Sequence, residues 1–533
     1  MVTRNLFPLV VAVTISWILA GTCATLAPAE ALQVKIDTST SFQVIDGFGA
    51  SDAWQCAFIG KNWPQEKREH IADLLFSREV DAKGNPKGIG LSLWRFNIGA
   101  GTAEQGDASD IRNPWRRTEC FQAPDGSYDW SKQTGQQWFL RAARQRGVER
   151  FLAFPNSAPV HLTRNGKGYA PKSQPYLNVK PGKLGDYAIF LAEVLEHFQK
   201  ENLPFDYLSP FNEPQWAWDD AGQEGTPAQN IELQALVRYL SKELRERKLR
   251  TQLAIGEAGT IGHAFMNMEK FLGLETAGRD AQAQFFFSPA SPFYIGDLPN
   301  VALLISAHDY HSVWPLDKQV EYRQMLHQAI TAANPGLGYW QSEYCILEPA
   351  NSEIGGGGGR DLGMDTALYV ARILHHDLTV AQARSWQWWT AVSEVDYKDG
   401  LIYVDDGSKR DGGRMGPETL SLMRDGVVRE SKLLWVLGNY ARFVRPGMTR
   451  VACAIEPEQS CVNGVLTSAY KGPEKKLVVV LINLSRETQS CNLGLARQFD
   501  VYTTCEKLAL ERTEQTGSSI ALPSRSVVTC VGR

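Results

Sequence analysis

The chain has 533 residues, 59 acidic against 55 basic side chains, and a formal charge of −4. With both signs interspersed, nothing supplies the basic surface that a nucleic-acid partner needs, so none is expected. Fifteen tryptophans, 17 tyrosines and 22 phenylalanines make it rich in aromatic rings, which fill cores and also stack on the flat faces of sugars.

The N-terminus reads as a secretory leader. Arg4 precedes an apolar run from Leu6 to Ala20, and small residues follow at Ala27-Pro-Ala-Glu-Ala31, with cleavage expected after Ala29 or Ala31. The run is short for a membrane span and no second span follows, so the mature chain is expected to be secreted or periplasmic, with no membrane span. Cys23 follows Thr22 and makes a poor lipid-attachment site. Eight cysteines remain beyond it, five of them after Arg442. Export permits disulfides, but eight cysteines leave the pairing open. No Cys-x-x-Cys pair or His/Cys cluster with zinc spacing occurs, so neither a metal nor a cofactor is expected.

Short β-rich runs then alternate with helical patterns. The expected strands are 43–49, 90–98, 150–156, 207–212, 252–257, 302–310, 338–343 and 383–389. Helices are expected over 65–76, 135–146, 184–199, 230–247, 317–333 and 365–377, with a last one over 430–441. Eight strands alternating with helices predict an α/β fold, a (β/α)8 TIM barrel spanning 44–442. Period-two alternation puts Leu93, Arg95 and Asn97 on one strand face and Ser306, His308 and Tyr310 on another. Beyond Arg442 the texture changes to short strands joined by Gly, Pro, Asn and Ser turns. Strands at 451–455, 464–469, 476–484, 491–495 and 526–531 predict a β-sandwich over 443–533. The segment 32–43 also reads as β and is expected to join it, making the module discontinuous. The five glycines Gly355–Gly359 lack the Lys-Ser/Thr of a phosphate loop and read as a flexible loop above the barrel mouth.

Two carboxylates carry the chemistry. Glu213, in Ser209-Pro-Phe-Asn-Glu-Pro-Gln-Trp216, closes the fourth strand, and Glu343, in Tyr339-Trp-Gln-Ser-Glu-Tyr344, closes the seventh. Barrel strands place such residues at the C-terminal rim, where active sites sit. A pair of glutamates facing one bound sugar is the arrangement that glycoside hydrolysis requires, and a short separation gives retention through a covalent intermediate. Glu257, ending the fifth strand, reads as a binding or structural carboxylate rather than a third catalyst.

Asp46-Gly-Phe-Gly49, Arg95, Asn212-Glu213-Pro214 and Ser342-Glu343 together resemble glycoside hydrolase family 30, of the retaining glycosidases in clan A. Ser157–Asn165, Leu437–Pro446 and Leu522–Thr529 are similar to family segments in the same order. The resemblance implies Glu213 as general acid/base, Glu343 as nucleophile and Asn212 as donor to the sugar 2-hydroxyl. His161 departs from an aromatic residue that some relatives carry in the loop after strand three. Arg95 is expected to hold Glu343 ionised, Tyr310 to donate a hydrogen bond to it, and His308 to line the sugar site. Trp216 and Trp218 are expected as stacking platforms, and Trp388, sharing a face with Trp386, as the ring beneath the sugar. The expected substrate is a β-linked glycan, β-1,6-galactan first, with β-1,6-glucan, glucuronoxylan and glucosylceramide as alternatives. A non-catalytic carbohydrate-binding barrel is the alternative of another class.

Overall fold

A computed structural model describes residues 31–532 except 175, 269–277, 408–416, 496–497 and 516. The expected leader, but for Ala31, lies outside the described residues, and Cys23 with it.

Strand β1 (Leu32–Val44) leads into eight parallel strands: β2 (Gly47–Ser51), β3 (Leu93–Ile98), β4 (Arg150–Pro155), β5 (Tyr207–Leu208), β6 (Gln252–Ala258), β7 (Val301–His308), β8 (Gly338–Glu343) and β9 (Ser385–Ser393). Each pairs with the next, and β9 pairs with both β8 and β2, which closes the barrel. Two further strands absent from the sequence reading, β10 (Gly400–Asp405) and β11 (Val427–Glu430), extend the sheet beyond β9. The fourth barrel strand is only two residues long, because Pro210 cannot donate to a ladder and the chain turns outward before Glu213.

Helices fill the connections where the apolar period changes from two to 3.6. Helix Leu184–Lys200 buries Tyr187, Phe190, Leu191, Val194, Leu195 and Phe198 along one stripe. Phe198 meets Phe96 of β3 at 5.6 Å, while Trp94 packs edge-on against Phe76 at 4.8 Å. The outward face of β3 thus binds the helix layer. Its inward face carries Leu93, which joins Leu152, Ala254, Leu304 and Trp340 in a closed apolar floor inside the barrel. The alternation read for β3 is the alternation observed.

The C-terminal strands are β12 (Thr449–Glu456), β13 (Val465–Lys471), β14 (Leu477–Asn483), β15 (Gln489–Asn492), β16 (Phe499–Thr504), β17 (Glu511–Gln515), β18 (Ser519–Leu522) and β19 (Ser526–Gly532). Strands β16, β17 and β18 are additional to the five expected. Strand β1 pairs antiparallel with β12 and parallel with β15, so the N-terminal segment does enter this module. Strand β14 is buried on both faces: Leu477, Val479 and Leu481 belong to the module's own core, and Val478, Val480 and Ile482 to the core shared with the barrel. The Asn439 amide, on the last barrel helix (Lys432–Ala441), donates to the Thr529 hydroxyl at 3.0 Å. All eight described cysteines carry free thiols. Among the described residues no helix is long and apolar enough to cross a membrane.

Candidate active site

One storey above the apolar floor the barrel interior turns polar. Arg95 is fully buried and sits at the hub. Its guanidinium donates to Glu343, to the Asn212 side-chain oxygen at 2.9 Å and to Glu257 at 2.8 Å, and it lies 3.8 Å over the Phe154 ring. His308 joins the acids from the other side: its Nδ1 is 2.8 Å from Glu213 and 3.5 Å from Glu343, and its Nε2 is 3.2 Å from Glu257. The Tyr310 hydroxyl donates to Glu343 at 3.1 Å. Arg95, Asn212, Glu213, His308, Tyr310 and Glu343, singled out in the sequence, are therefore brought to one place.

Local backbone breaks bring the acids inward. Strict alternation from Ala254 would turn Glu257 outward, but the β6–β7 register shifts between Ile255 and Ala258, where Gly256 adopts φ +128°. Likewise the β7–β8 register shifts just before the His308–Glu343 pair, which turns Glu343 into the barrel. Such bulges re-aim side chains beside active sites. Glu213 and Glu257 both hold left-handed backbone, at φ +43° and +45°, a conformation that costs about 1–2 kcal/mol for a residue with a β-carbon. The Glu213 amide donates to the Glu257 carbonyl at 2.9 Å and fixes the two together.

The charges are set by burial and pairing. Burial raises the Glu213 carboxyl above the usual carboxylate range, opposed by its hydrogen bond to His308 and reinforced by the nearby Glu343 charge. Burial alone would also raise Glu257, but the Arg95 charge and the His308 hydrogen bond overcome it and hold it at about 2. His308 would lose its proton on burial; the Glu343 charge and the hydrogen bonds to Glu213 and Glu257 instead push it up to about 10. Glu257, unassigned as a catalyst from sequence, thus serves as the permanent counter-ion of Arg95 and His308.

A carboxylate oxygen of Glu213, one of Glu343 and a ring nitrogen of His308 lie within 4.8 Å of one another. This spacing also suits a metal ligand set, although Arg95 already supplies a cation to Glu343. His308 stays buried, while Glu213 and Glu343, with Asn212 and Tyr310, open onto a cavity of about 580 Å³. Arg116, Trp218, Gln223, Trp389, Tyr397 and Asp399 are among the residues that complete its wall. Trp389 lies on β9 and the others come from the loops after β3, β5 and β9; Trp218 was expected from sequence, whereas Arg116, Tyr397 and Asp399 were not.

One tryptophan assignment is corrected. Trp388, expected beneath the sugar, is 1% exposed, stacks on Trp386 at 6.0 Å and donates its indole N–H to the Asp399 carbonyl at 2.6 Å. The β2–β9 ladder skips Trp389 between the pairs Ala50–Trp388 and Ser51–Thr390. Trp386 and Trp388 face the helix layer, where Trp386 donates to Asp377, so alternation puts Trp389 on the inner face, where it lines the cavity. Trp216, expected as a platform, stands edge-on to His263 and His311, with its indole over Gly259 and hydrogen-bonded to the Glu213 side chain. Trp218, also expected as a platform, lines the cavity, tied by its indole N–H to the Glu213 carbonyl at 2.8 Å. His161 is remote from the acids, bonded to Gln122 at 3.0 Å beside a second cavity of about 560 Å³.

The family model of O-Glycosyl hydrolase family 30 matches residues 31–403, and that of the glycosyl hydrolase family 30 beta sandwich domain matches residues 447–530. The chain belongs to glycoside hydrolase family 30. It is a glycosidase built as a catalytic barrel with a β-sandwich. Among solved structures, a conserved exported protein from Bacteroides fragilis is 40% identical, with a TM-score of 0.87 over 94% of this chain and all of that one. The catalytic domain of the family 30 xylanase C from Talaromyces cellulolyticus is 19% identical at TM-score 0.64, covering 94% of this chain and 100% of its own. An endo-β1,6-glucanase is 14% identical at TM-score 0.62, covering 94% and 93%. At these lower identities the likeness concerns the fold. The family 30 chain thus carries its acids on a barrel shared by enzymes of differing substrate.

Proposed function

We propose that this family 30 enzyme hydrolyses a β-linked glycan with retention, with Glu213 as general acid/base and Glu343 as nucleophile. The observation that carries the reading is the short approach of the two carboxylates, within 4.8 Å oxygen to oxygen, both lining one cavity. That is too close to admit a water between acid and base in an inverting arrangement. Arg95 pairs with both Glu257 and Glu343, so the attacking carboxylate has a fixed cation beside it.

In the first step Glu213 gives its proton to the glycosidic oxygen as the bond to the anomeric carbon breaks. Glu343 forms an ester to that carbon, and Arg95 and Tyr310 hold the attacking carboxylate in place. In the second step ionised Glu213 takes a proton from water, the water oxygen attacks the anomeric carbon and Glu343 is released. Asn212, bound through its side-chain oxygen to Arg95, keeps its amide N–H groups for the sugar 2-hydroxyl.

β-1,6-Galactan is the first substrate proposed. The support is the Asn-Glu-Pro-Gln-Trp run and the Gln223-Glu-Gly225 segment, whose Trp218 and Gln223 surroundings line the cavity. β-1,6-Glucan is the next, and the leader pattern supports action after export.

A panel of 4-nitrophenyl β-glycosides, then arabinogalactan, β-1,6-glucan and xylan, tests class and substrate. Glu343→Ala should lose about 10⁴-fold or more in kcat and regain turnover with azide, releasing the α-glycosyl azide. Undiminished hydrolysis by that variant would sink the assignment.

A further inference from the structure

The run Gly355–Gly359 has the composition of a free loop, yet it is tied down along its length. The Lys398 ammonium, on a residue only 8% exposed, donates to the carbonyls of Gly356 at 2.7 Å and Gly358 at 2.9 Å. The Lys398 amide donates to the Gly357 carbonyl at 2.7 Å, the Gly357 amide to the Glu348 carbonyl at 3.2 Å, and the Gly359 amide to the Asp396 carbonyl at 3.0 Å. Gly358 and Tyr397 form an antiparallel bridge, and the Arg360 amide donates to the Asp396 carboxylate at 2.8 Å. A phosphate cradle needs free amide N–H groups, and those of Gly357 and Gly359 are already engaged.

The glycines differ in why they are glycine. Gly356 and Gly359 hold φ of +72° and +76°, which side chains rarely adopt. At Gly357 a β-carbon would overlap the Ile346 carbonyl and the Tyr397 ring, whereas at Gly355 it would meet nothing within 4 Å. Tyr397 is thus laid directly on the Gly357 backbone. What the strap supports is the segment 395–399, of which Val395, Asp396, Tyr397 and Asp399 line the catalytic cavity.

Two polar groups of that segment have work left over. The Tyr397 hydroxyl makes no hydrogen bond among the described residues. Asp399 Oδ1 is buried and has no partner among them, although burial costs an unpaired polar atom about 1–3 kcal/mol. Trp389 stands beside them in the same wall. An aromatic face with converging hydroxyl and carboxyl groups is the chemistry that binds a sugar ring.

We propose that the glycine strap is the bed of a glycan subsite: it seats Tyr397 and Asp399 in the cavity wall, where they read the hydroxyl groups of one sugar residue of the substrate. Tyr397 and Asp399 are specificity-determining residues and Gly357 is a positioning residue that acts through Tyr397. The inference rests on the glycosidase reading above.

The test uses the full mature chain and whichever of arabinogalactan, β-1,6-glucan or xylan the wild-type enzyme cleaves. Tyr397→Ala and Asp399→Asn should each lower kcat/KM by about tenfold or more, carried mainly by KM. Gly357→Ala should do the same, while Gly355→Ala stays within about twofold. Melting temperatures of all four show whether they fold, and if Gly357→Ala does not, the Tyr397 and Asp399 variants decide. Equal behaviour of folded Gly355→Ala and Gly357→Ala, or kcat/KM unchanged in Tyr397→Ala and Asp399→Asn, would overturn the proposal. A Glu343→Ala enzyme that still hydrolysed the glycan would instead strike the catalytic reading, so the two failures are distinct.

Discussion

Two storeys of the same barrel interior have opposite chemistry. The floor is Leu93, Leu152, Ala254, Leu304 and Trp340, and the storey above holds Arg95, Glu213, Glu257, His308 and Glu343, all buried. On β3 a single residue, Trp94, separates Leu93 from Arg95, one pleat of a strand. The floor needs only to be filled, and its energetics are those of apolar area and packing. The upper storey stacks charges in a space with little water, where each is tolerable only because another neutralises it. The lesson is that the floor gives the acids a dry, rigid base, while the acids give up stability for reactivity.

Each prediction breaks this contrast at a chosen point. The largest effect after loss of the nucleophile is expected at Glu213. Glu213→Gln should lower kcat by about 10²–10⁴-fold on substrates with poor leaving groups, read by steady-state kinetics. Because the Glu213 pKa is raised and its protonated form does the work, wild-type kcat/KM should fall as pH rises through that pKa. The fall should vanish in the variant, and a pH profile that keeps this alkaline limb would assign it to another group.

Removing the hub should show the storey's dependence on pairing. Arg95→Met leaves the Glu257 and Glu343 charges buried without their cation, so stability should drop by about 3–5 kcal/mol, measured by urea unfolding, together with activity. In the floor, Leu93→Ala should cost about 2–5 kcal/mol through the cavity it leaves. Its kcat at 25 °C, per folded molecule, should change far less than that of Arg95→Met. Equal kcat losses in the two variants would mean that the storeys are not separable.

The smallest effect concerns the two neighbouring tryptophans. Trp389→Ala should lower kcat/KM by about tenfold through lost stacking. Trp388→Phe, on the helix-facing side, should leave kcat/KM within about twofold and register in melting temperature alone. The reverse order would restore Trp388 to the sugar site.

The architecture was legible because it rests on periodicity. The helix Gln65–Phe76 and the strand Gly338–Glu343 were read with the boundaries that the structure shows. The faces of β3 and of residues 306–310 followed from alternation alone, which is why Arg95, His308 and Tyr310 were found with the two acids. Strands β10, β11 and β16–β18 were missed where short runs are flanked by polar loops and carry little pattern. Arg116, Tyr397 and Asp399 were missed because nothing local distinguishes a cavity wall from any other loop.

The sequence by itself determined the element order and the α/β fold, and it singled out the two glutamates that the structure brings to one cavity, since these depend on local period and on residues at strand ends. Only the tertiary structure decided which way Glu257 and Glu343 face, and which face of β9 looks inward. The two acids each sit at an irregularity in the ladder, and one extra residue turns every later side chain to the other face. Where a bulge falls depends on how neighbouring strands register around a closed barrel, and one strand's own pattern does not contain that information. The same holds for the glycine strap: its composition suggested freedom, and only its partners Lys398, Glu348 and Asp396 show that it is held.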